Sequence, residues 1–287
     1  MQKNLKYLSF FLFTFIILSS CKEENFKIFE EPKTHLDVSY GVDAAQITDI
    51  YLPGGRSREA TRVILLIHGG GWMAGSKKDM EPFFIRIKEA MPGYAIVNMN
   101  YRLAQLSGSR YMLPMQTDDI ESVINYVKKN ADSYGVKPEF VLAGLSAGGH
   151  LAMLYSYKYD TGNDVKAVVN IVGPSNLNDT FYLNNLVYSF ALSRITDPSN
   201  LPEGMSQSVF GSPVTWIKPI TQPTISFYGT NDEFIPHSQH SALEEALESV
   251  NTPQEKHLYE GGHNVGYDNK EDIIAKTSAF LEKQLSQ

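Results

Sequence analysis

Ser146 stands in Gly144-Leu145-Ser146-Ala147-Gly148, a G-x-S-x-G pentapeptide that can hold a serine nucleophile on a sharp turn between a strand and a helix. The glycines relieve crowding there, so the serine can take a strained backbone conformation with its hydroxyl exposed. A serine hydroxyl is a weak nucleophile at neutral pH and needs a base within about 2.6–3.2 Å. Of the seven histidines, His263 is best placed to supply it. It sits in Gly261-Gly262-His263-Asn264, a loop after the last expected strand that can reach over strand ends. His257 falls inside that strand and reads as structural. His237 and His240 open a helix and read as surface residues, His150 follows the serine on its helix facing the core or a neighbouring strand, and His35 is near an N-terminal tether.

A histidine base needs a carboxylate to fix its tautomer. Asp232 and Glu233, in Gly229-Thr230-Asn231-Asp232-Glu233, both qualify, and a plain turn-capping role for Asp232 is the alternative. His68-Gly69-Gly70-Gly71-Trp72 brings three successive glycines whose bare backbone can approach a substrate. We assign the N–H groups of Gly70, Gly71 and Ala147 to an oxyanion hole; Trp72 either walls the acyl site as a substrate-binding residue or belongs to the core. These residue types suit nucleophilic attack on a carbonyl carbon.

Such groups work only if rigid elements present them. Val63 to Ile67, Ala95 to Val97, Phe140 to Ala143 and Ala167 to Val172 are apolar runs of the kind expected for strands buried on both faces of a parallel sheet. Leu36 to Tyr40 and Ile47 to Leu52 read as an antiparallel start, and Thr224 to Tyr228 and Lys256 to Tyr259 as the last two strands. Between them lie helical stripes: Ile120, Val123, Ile124 and Val127, behind Asp118 and Asp119 at the helix N-terminus; Leu151, Leu154 and Tyr155; Ala242 to Val250; and Ile273 to Leu281. The alternation predicts an α/β fold with a mostly parallel, twisted sheet of about eight strands and helices on both faces. Residues 174–219 break the rhythm. They carry Phe181, Tyr182, Tyr188, Phe190 and Phe210 without a clear strand, as expected of a lid-like insert or pocket wall.

The 287 residues, 43% hydrophobic and 20% charged, are enough to bury a sizeable core. A net charge of −7 and the lack of a dense basic run argue against a nucleic-acid surface. Lys3 and Lys6 followed by the apolar run Leu8 to Leu18 suit a signal peptide and are short for a membrane span. Leu18-Ser19-Ser20-Cys21 resembles a bacterial lipobox, and Cys21 is the only cysteine. The expectation is a lipoprotein signal peptide over 1–20, a lipidated tether over 21–33 closed by Pro32, and a domain over 34–287 without disulfides or thiol chemistry. Lys22-Glu23-Glu24 resembles a signal for the outer face of a Gram-negative outer membrane. No metal or organic cofactor is called for.

Together, His68-Gly69-Gly70-Gly71-Trp72, Asn100-Tyr101-Arg102-Leu103, Gly144-Leu145-Ser146-Ala147-Gly148-Gly149 and Gly229-Thr230-Asn231-Asp232 resemble the α/β-hydrolase superfamily over roughly residues 34–287. They are similar to hormone-sensitive-lipase-like esterases, and more closely to the bacterial feruloyl/acetyl-xylan esterase group. The resemblance implies an α/β-hydrolase fold and selects Asp232 over Glu233, completing a set of Ser146, Asp232 and His263. It implies a serine carboxylic-ester hydrolase acting through an acyl-enzyme on a small-molecule or oligosaccharide ester, such as an acetyl or feruloyl decoration. The alternatives are an amide hydrolase (peptidase or formamidase) on the same residues and a non-catalytic glycan-binding lipoprotein. The chain departs from the pattern at Leu145, where those esterases often have aspartate, and at Gln105-Leu106, where the family continues Pro-Glu. It also lacks room for a helical cap before the first strand, so the site is expected to be open, covered only by 174–219.

Overall fold

A computed structural model describes residues 27–286 except 106, 108 and 109. Cys21, the signal segment 1–20 and the start of the 21–33 tether lie outside the described residues. The strands are β1 (Ile28–Phe29), β2 (Lys33–Ser39), β3 (Ile47–Leu52), β4 (Arg56–Ser57), β5 (Val63–Ile67), β6 (Ala95–Met99), β7 (Phe140–Leu145), β8 (Val165–Ile171), β9 (Thr224–Gly229) and β10 (Gln254–Tyr259). The α-helices are α1 (Glu81–Ala90), α2 (Met115–Tyr134), α3 (Ala147–Leu154), α4 (Thr180–Leu183), α5 (Leu186–Ile195), α6 (Gln207–Phe210), α7 (His237–Ser249), α8 (Val265–Asp268) and α9 (Lys270–Leu285).

Eight strands form one sheet in the order β10-β9-β8-β7-β5-β6-β3-β2. β2 and β3 pair antiparallel with their neighbours, and the other strands run parallel. The central strands are apolar throughout because both faces are covered. On β5, Val63, Leu65 and Ile67 pack with α2, α3 and α7, whereas Ile64 and Leu66 pack with α1 and α9. Each such side chain contributes about 1.5–3 kcal/mol by burial.

β6 lies on one side of β5 and β7 on the other, so the chain reverses its direction of winding between β5 and β7. A crevice opens at the carboxyl ends of strands at such a switch point. Ile67 of β5 pairs beside Gly144 of β7, which places the two glycine-rich segments that follow them on the two sides of that crevice.

Four expectations change. The tether–domain boundary falls earlier than residue 34. β1 pairs with β4, and Arg56 is buried with its guanidinium over the Phe29 ring, donating to Glu31 O and Pro53 O. Residues 28–33 therefore belong to the folded unit. The stripe ending at Val250 stops one residue earlier, with Val250 as the cap. Helix α1, unanticipated, buries Phe83 and Ile87 at i, i+4 spacing.

Asp119 also does more than favour a helix N-terminus. Fully buried, it takes a forked contact from Arg102 (Nε 2.9 and 3.0 Å, Nη2 2.5 Å), the Arg102 N–H at 2.8 Å and Gln46 Nε2 at 2.8 Å. It thus ties α2 to the segment after β6 and to the β2–β3 turn. Replacing one partner of a buried ion pair strands the other charge. Asp119→Ala should lower the unfolding free energy by about 3–5 kcal/mol, read from the urea midpoint.

Candidate active site

Gly148 sits where a Cβ would be 2.0 Å from Ile67 O, and Gly144 where one would be 2.1 Å from Gly148 O. Without side chains at these two positions, α3 can start directly against β5 and β7. The turn between β7 and α3 then leaves Ser146 at φ 54°, ψ −120°, a region costly for an ordinary residue. Its N–H donates to Ile171 O at 2.7 Å, so the strained turn is held from the next strand.

Two further loops meet the serine. Gly229 ends β9 with its Cβ position 2.5 Å from Gly262 O, and Asn231 N–H donates to Gly261 O at 2.9 Å, so the loops after β9 and β10 lie against each other. This contact joins Asp232 to His263. Asp232 Oδ2 lies 2.8 Å from His263 Nδ1, and His263 Nε2 lies 2.9 Å from Ser146 Oγ. The Asp232 side chain is fully buried. Its second oxygen, Oδ1, accepts from the N–H groups of Phe234 (2.9 Å) and Ile235 (3.0 Å). The turn-capping and orienting roles are therefore filled by one carboxylate, an oxygen for each. Glu233 is exposed. Phe234 meets the His263 ring edge-on at 5.3 Å.

With Asp232 accepting at Nδ1, the neutral imidazole carries its proton there and presents a lone pair at Nε2 to the serine hydroxyl. The Ser146 hydroxyl donates to Nε2 in that tautomer. This is the alignment a general base needs.

Opposite the elbow, the loop after β5 turns sharply: Gly70, Gly71 and Trp72 have φ of 105°, 57° and 65°. Gly70 O accepts from Met73 and Ala74 N–H. The N–H groups of Gly70, Gly71 and Ala147 make no hydrogen bond among the described residues, and Ala147 is the first residue of α3, where an N–H has no helical partner. All three residues line the same cavity as Ser146 and His263.

His68 anchors the base of this loop. It is buried, stacks on Tyr101 with centroids 4.2 Å apart and planes at 10°, and donates from Nδ1 to Gly69 O at 2.7 Å. Burial lowers its pKa and keeps the ring neutral.

The cavity holds about 540 Å³, ample for a drug-sized ligand. The insert 174–219 folds as short helices, and Leu177, Tyr182, Tyr188, Leu192 and Ile195 from it wall the cavity together with Trp72. The aromatics divide: Tyr182 and Tyr188 line the cavity, Phe181 and Phe190 are exposed, and Phe210 is buried against Trp216. Asp79, Asn264 and Tyr267 add polar residues to the cavity lining; no signal in the sequence marked them, because each lies in a segment whose path over the sheet is set by tertiary packing.

His240 departs from expectation. It is buried rather than at the surface, packed on Tyr228 and His237, and desolvation pushes its pKa down to about 4. His257 stacks on Phe227 within the sheet. Among the described residues no group of three or more His, Cys, Asp or Glu is placed to hold a metal ion.

A parallel sheet with its switch point between β5 and β7, a serine elbow, and an aspartate and histidine delivered by the last two strand ends define an α/β hydrolase. The chain belongs to the BD-FAE family, whose family model matches residues 48–247.

It is similar to esterase LipC of Mycobacterium tuberculosis (strain ATCC 25618 / H37Rv), with 26% identity over 243 residues, covering 80% of this chain and 59% of that protein. The chain spans little more than half the length of the first curated relatives it matches. Among solved structures, a truncated carbohydrate esterase from gut microbiota superposes with a TM-score of 0.73 at 21% identity, covering 88% of this chain and 96% of that one. An acetyl ester-xyloside bifunctional hydrolase from Caldicellulosiruptor lactoaceticus superposes with a TM-score of 0.65 at 18% identity, covering 83% and 88%.

Asp232→Asn keeps the shape but presents an amide where a carboxylate accepts, favouring the wrong histidine tautomer. The expected result is a fall in kcat of about 10³–10⁴-fold toward whichever substrate proves active, with a circular dichroism spectrum unchanged from wild type.

Proposed function

We propose that this protein is a serine carboxylic-ester hydrolase that works through an acyl-enzyme on acyl-decorated carbohydrate, such as acetyl or feruloyl esters. The observation that carries the reading is the continuous hydrogen-bonded path from Asp232 through His263 to Ser146 Oγ, beside the N–H groups of Gly70, Gly71 and Ala147, which have no hydrogen-bond partner among the described residues.

Ser146 Oγ attacks the ester carbonyl while its proton passes to His263 Nε2. Asp232 stabilises the imidazolium, and the N–H groups of Gly70, Gly71 and Ala147 receive the developing oxyanion. Collapse of the tetrahedral species expels the alcohol, which takes the proton back from Nε2. Water then attacks the acyl-enzyme with His263 again as base, releasing the acid and restoring the serine.

The carbohydrate part of the reading is supported by the likeness to the truncated carbohydrate esterase and to the acetyl ester-xyloside bifunctional hydrolase. The apolar insert wall suits an acyl group, and the polar lining residues Asp79, Asn264 and Tyr267 suit hydroxyls of a polar alcohol. Localisation belongs to the same proposal: a lipid on Cys21 holds the protein at a Gram-negative outer membrane. Its basis is the Leu18-Ser19-Ser20-Cys21 segment, and loss of membrane association in Cys21→Ser cells checks it.

Ser146→Ala should reduce p-nitrophenyl acetate turnover to the buffer rate while shifting the Tm by no more than a few degrees, roughly 1 kcal/mol. A panel of acetylated and feruloylated oligosaccharides, a formamide and a short peptide, compared by kcat/KM, then ranks ester against amide. Turnover retained in Ser146→Ala, or preference for the amides, contradicts the reading.

A further inference from the structure

His150 is a buried titratable group that the reaction path above does not use. It lies one turn after the nucleophile on α3, and its own N–H donates to Ser146 O at 3.1 Å. Its ring sits between two segments distant in sequence. Trp72 Nε1 lies 3.1 Å from His150 Nδ1, and His150 Nε2 lies 2.6 Å from Gly211 O, in the insert. An indole N–H can only donate and a backbone carbonyl can only accept. The imidazole must therefore be neutral, accepting at Nδ1 and donating from Nε2. Burial holds it in that state, with a pKa pushed down to about 4.

The residue it holds needs holding. Trp72 sits at φ 65° directly after Gly70 and Gly71, a left-handed conformation that is unfavourable for a bulky residue. Three contacts oppose its relaxation. Trp72 O accepts from Ala104 N–H at 2.9 Å, the indole packs on the insert cluster containing Leu177 and Leu192, and the indole meets His150 edge-on with centroids 5.1 Å apart. The indole N–H bond to His150 Nδ1 adds a directional contact from the side chain itself.

We propose that His150 is a positioning residue: by accepting from Trp72 and donating to Gly211, it locks the Gly70–Gly71–Trp72 turn to α3 and to the insert, so that the oxyanion donors are aimed before substrate arrives. The kinetic consequence rests on the acyl-transfer reading of the site; the mechanical one does not. His150 touches no reacting atom. Its effect is carried by the indole, whose displacement would swing the two preceding N–H groups away from the carbonyl, and a misplacement of about 1 Å can cost about 100-fold in rate.

The test uses the full chain and four variants: Trp72→Phe, which keeps an aromatic ring without the N–H; His150→Phe; the double variant; and His150→Gln, whose amide offers one acceptor and one donor. Two quantities are read: kcat and KM on a p-nitrophenyl ester, and backbone amide exchange of segment 68–75 by mass spectrometry. Trp72→Phe and His150→Phe should each lower kcat by about 10- to 100-fold, with KM within about 2-fold of wild type. The double variant should be no worse than the poorer single one, because both break the same contact. Exchange in 68–75 should accelerate in both single variants, and His150→Gln should restore both exchange and most of kcat.

Exchange unchanged in Trp72→Phe and His150→Phe overturns the proposal, as do additive losses or an effect on KM alone. If His150→Phe does not fold, Trp72→Phe and His150→Gln still decide it. A wild-type protein that turns over no ester, yet whose 68–75 exchange responds as described, refutes the esterase reading and leaves the lock standing. An active wild type indifferent to these changes refutes the lock alone.

Discussion

The structure depends on one close approach of backbone to backbone, where the first turn of α3 lies against the ends of β5 and β7. A Cβ at Gly148 would sit 2.0 Å from Ile67 O, and one at Gly144 would sit 2.1 Å from Gly148 O. No side chain can be accommodated at such distances, so Gly144 of β7 and Gly148 in the first turn of α3 must both be glycine. With the helix start fixed over the switch point of the sheet, Ser146 has no relaxed conformation open to it and is left at φ 54° with its hydroxyl facing the crevice. The free N–H of Ala147 and the positive end of the helix face the same crevice.

The remaining site parts are delivered to this point by contacts of the same kind. Gly229 lets the β9 and β10 loops touch, and that contact sets the Asp232–His263 distance. The glycines after β5 let the loop that follows turn back on itself, with Gly70 O satisfied by two N–H groups. Neutral, buried His68 and His150 then brace this loop from its base and from its indole end. The site is thus a set of backbone turns locked by hydrogen bonds, and donors fixed in advance need no reorganisation at the moment of reaction.

Much of this was readable before any coordinates. The apolar runs gave strands because parallel strands are buried on both faces, and the stripe from Ile120 to Val127 gave α2 because its periodicity is unbroken. Ser146 and His263 were legible because each follows an expected strand in a glycine-rich segment, whereas only the family resemblance separated Asp232 from Glu233. Helix α1 was not, since Phe84 and the half-exposed Ile85 sit between Phe83 and Ile87 and blur the helical stripe. His240 reads as a surface residue because helix starts are usually exposed; in the fold Tyr228 and His237 cover it. The partnership of Trp72, His150 and Gly211 joins residues 61 and 78 positions apart, which no local pattern encodes. Asp119 carried a local signal for helix-terminus stabilisation, while its larger role with Arg102 and Gln46 exists only in the folded chain.

The central claim is that Ser146 is a nucleophile activated by His263. A fluorophosphonate probe tests it most directly, because phosphonylation requires an activated serine beside a working oxyanion hole and does not require the natural substrate. The account predicts one adduct per chain by intact mass, located on the peptide that contains Ser146, absent in Ser146→Ala and slowed by orders of magnitude in His263→Ala. A natively folded protein that forms no adduct, or forms it on another residue, would contradict the account.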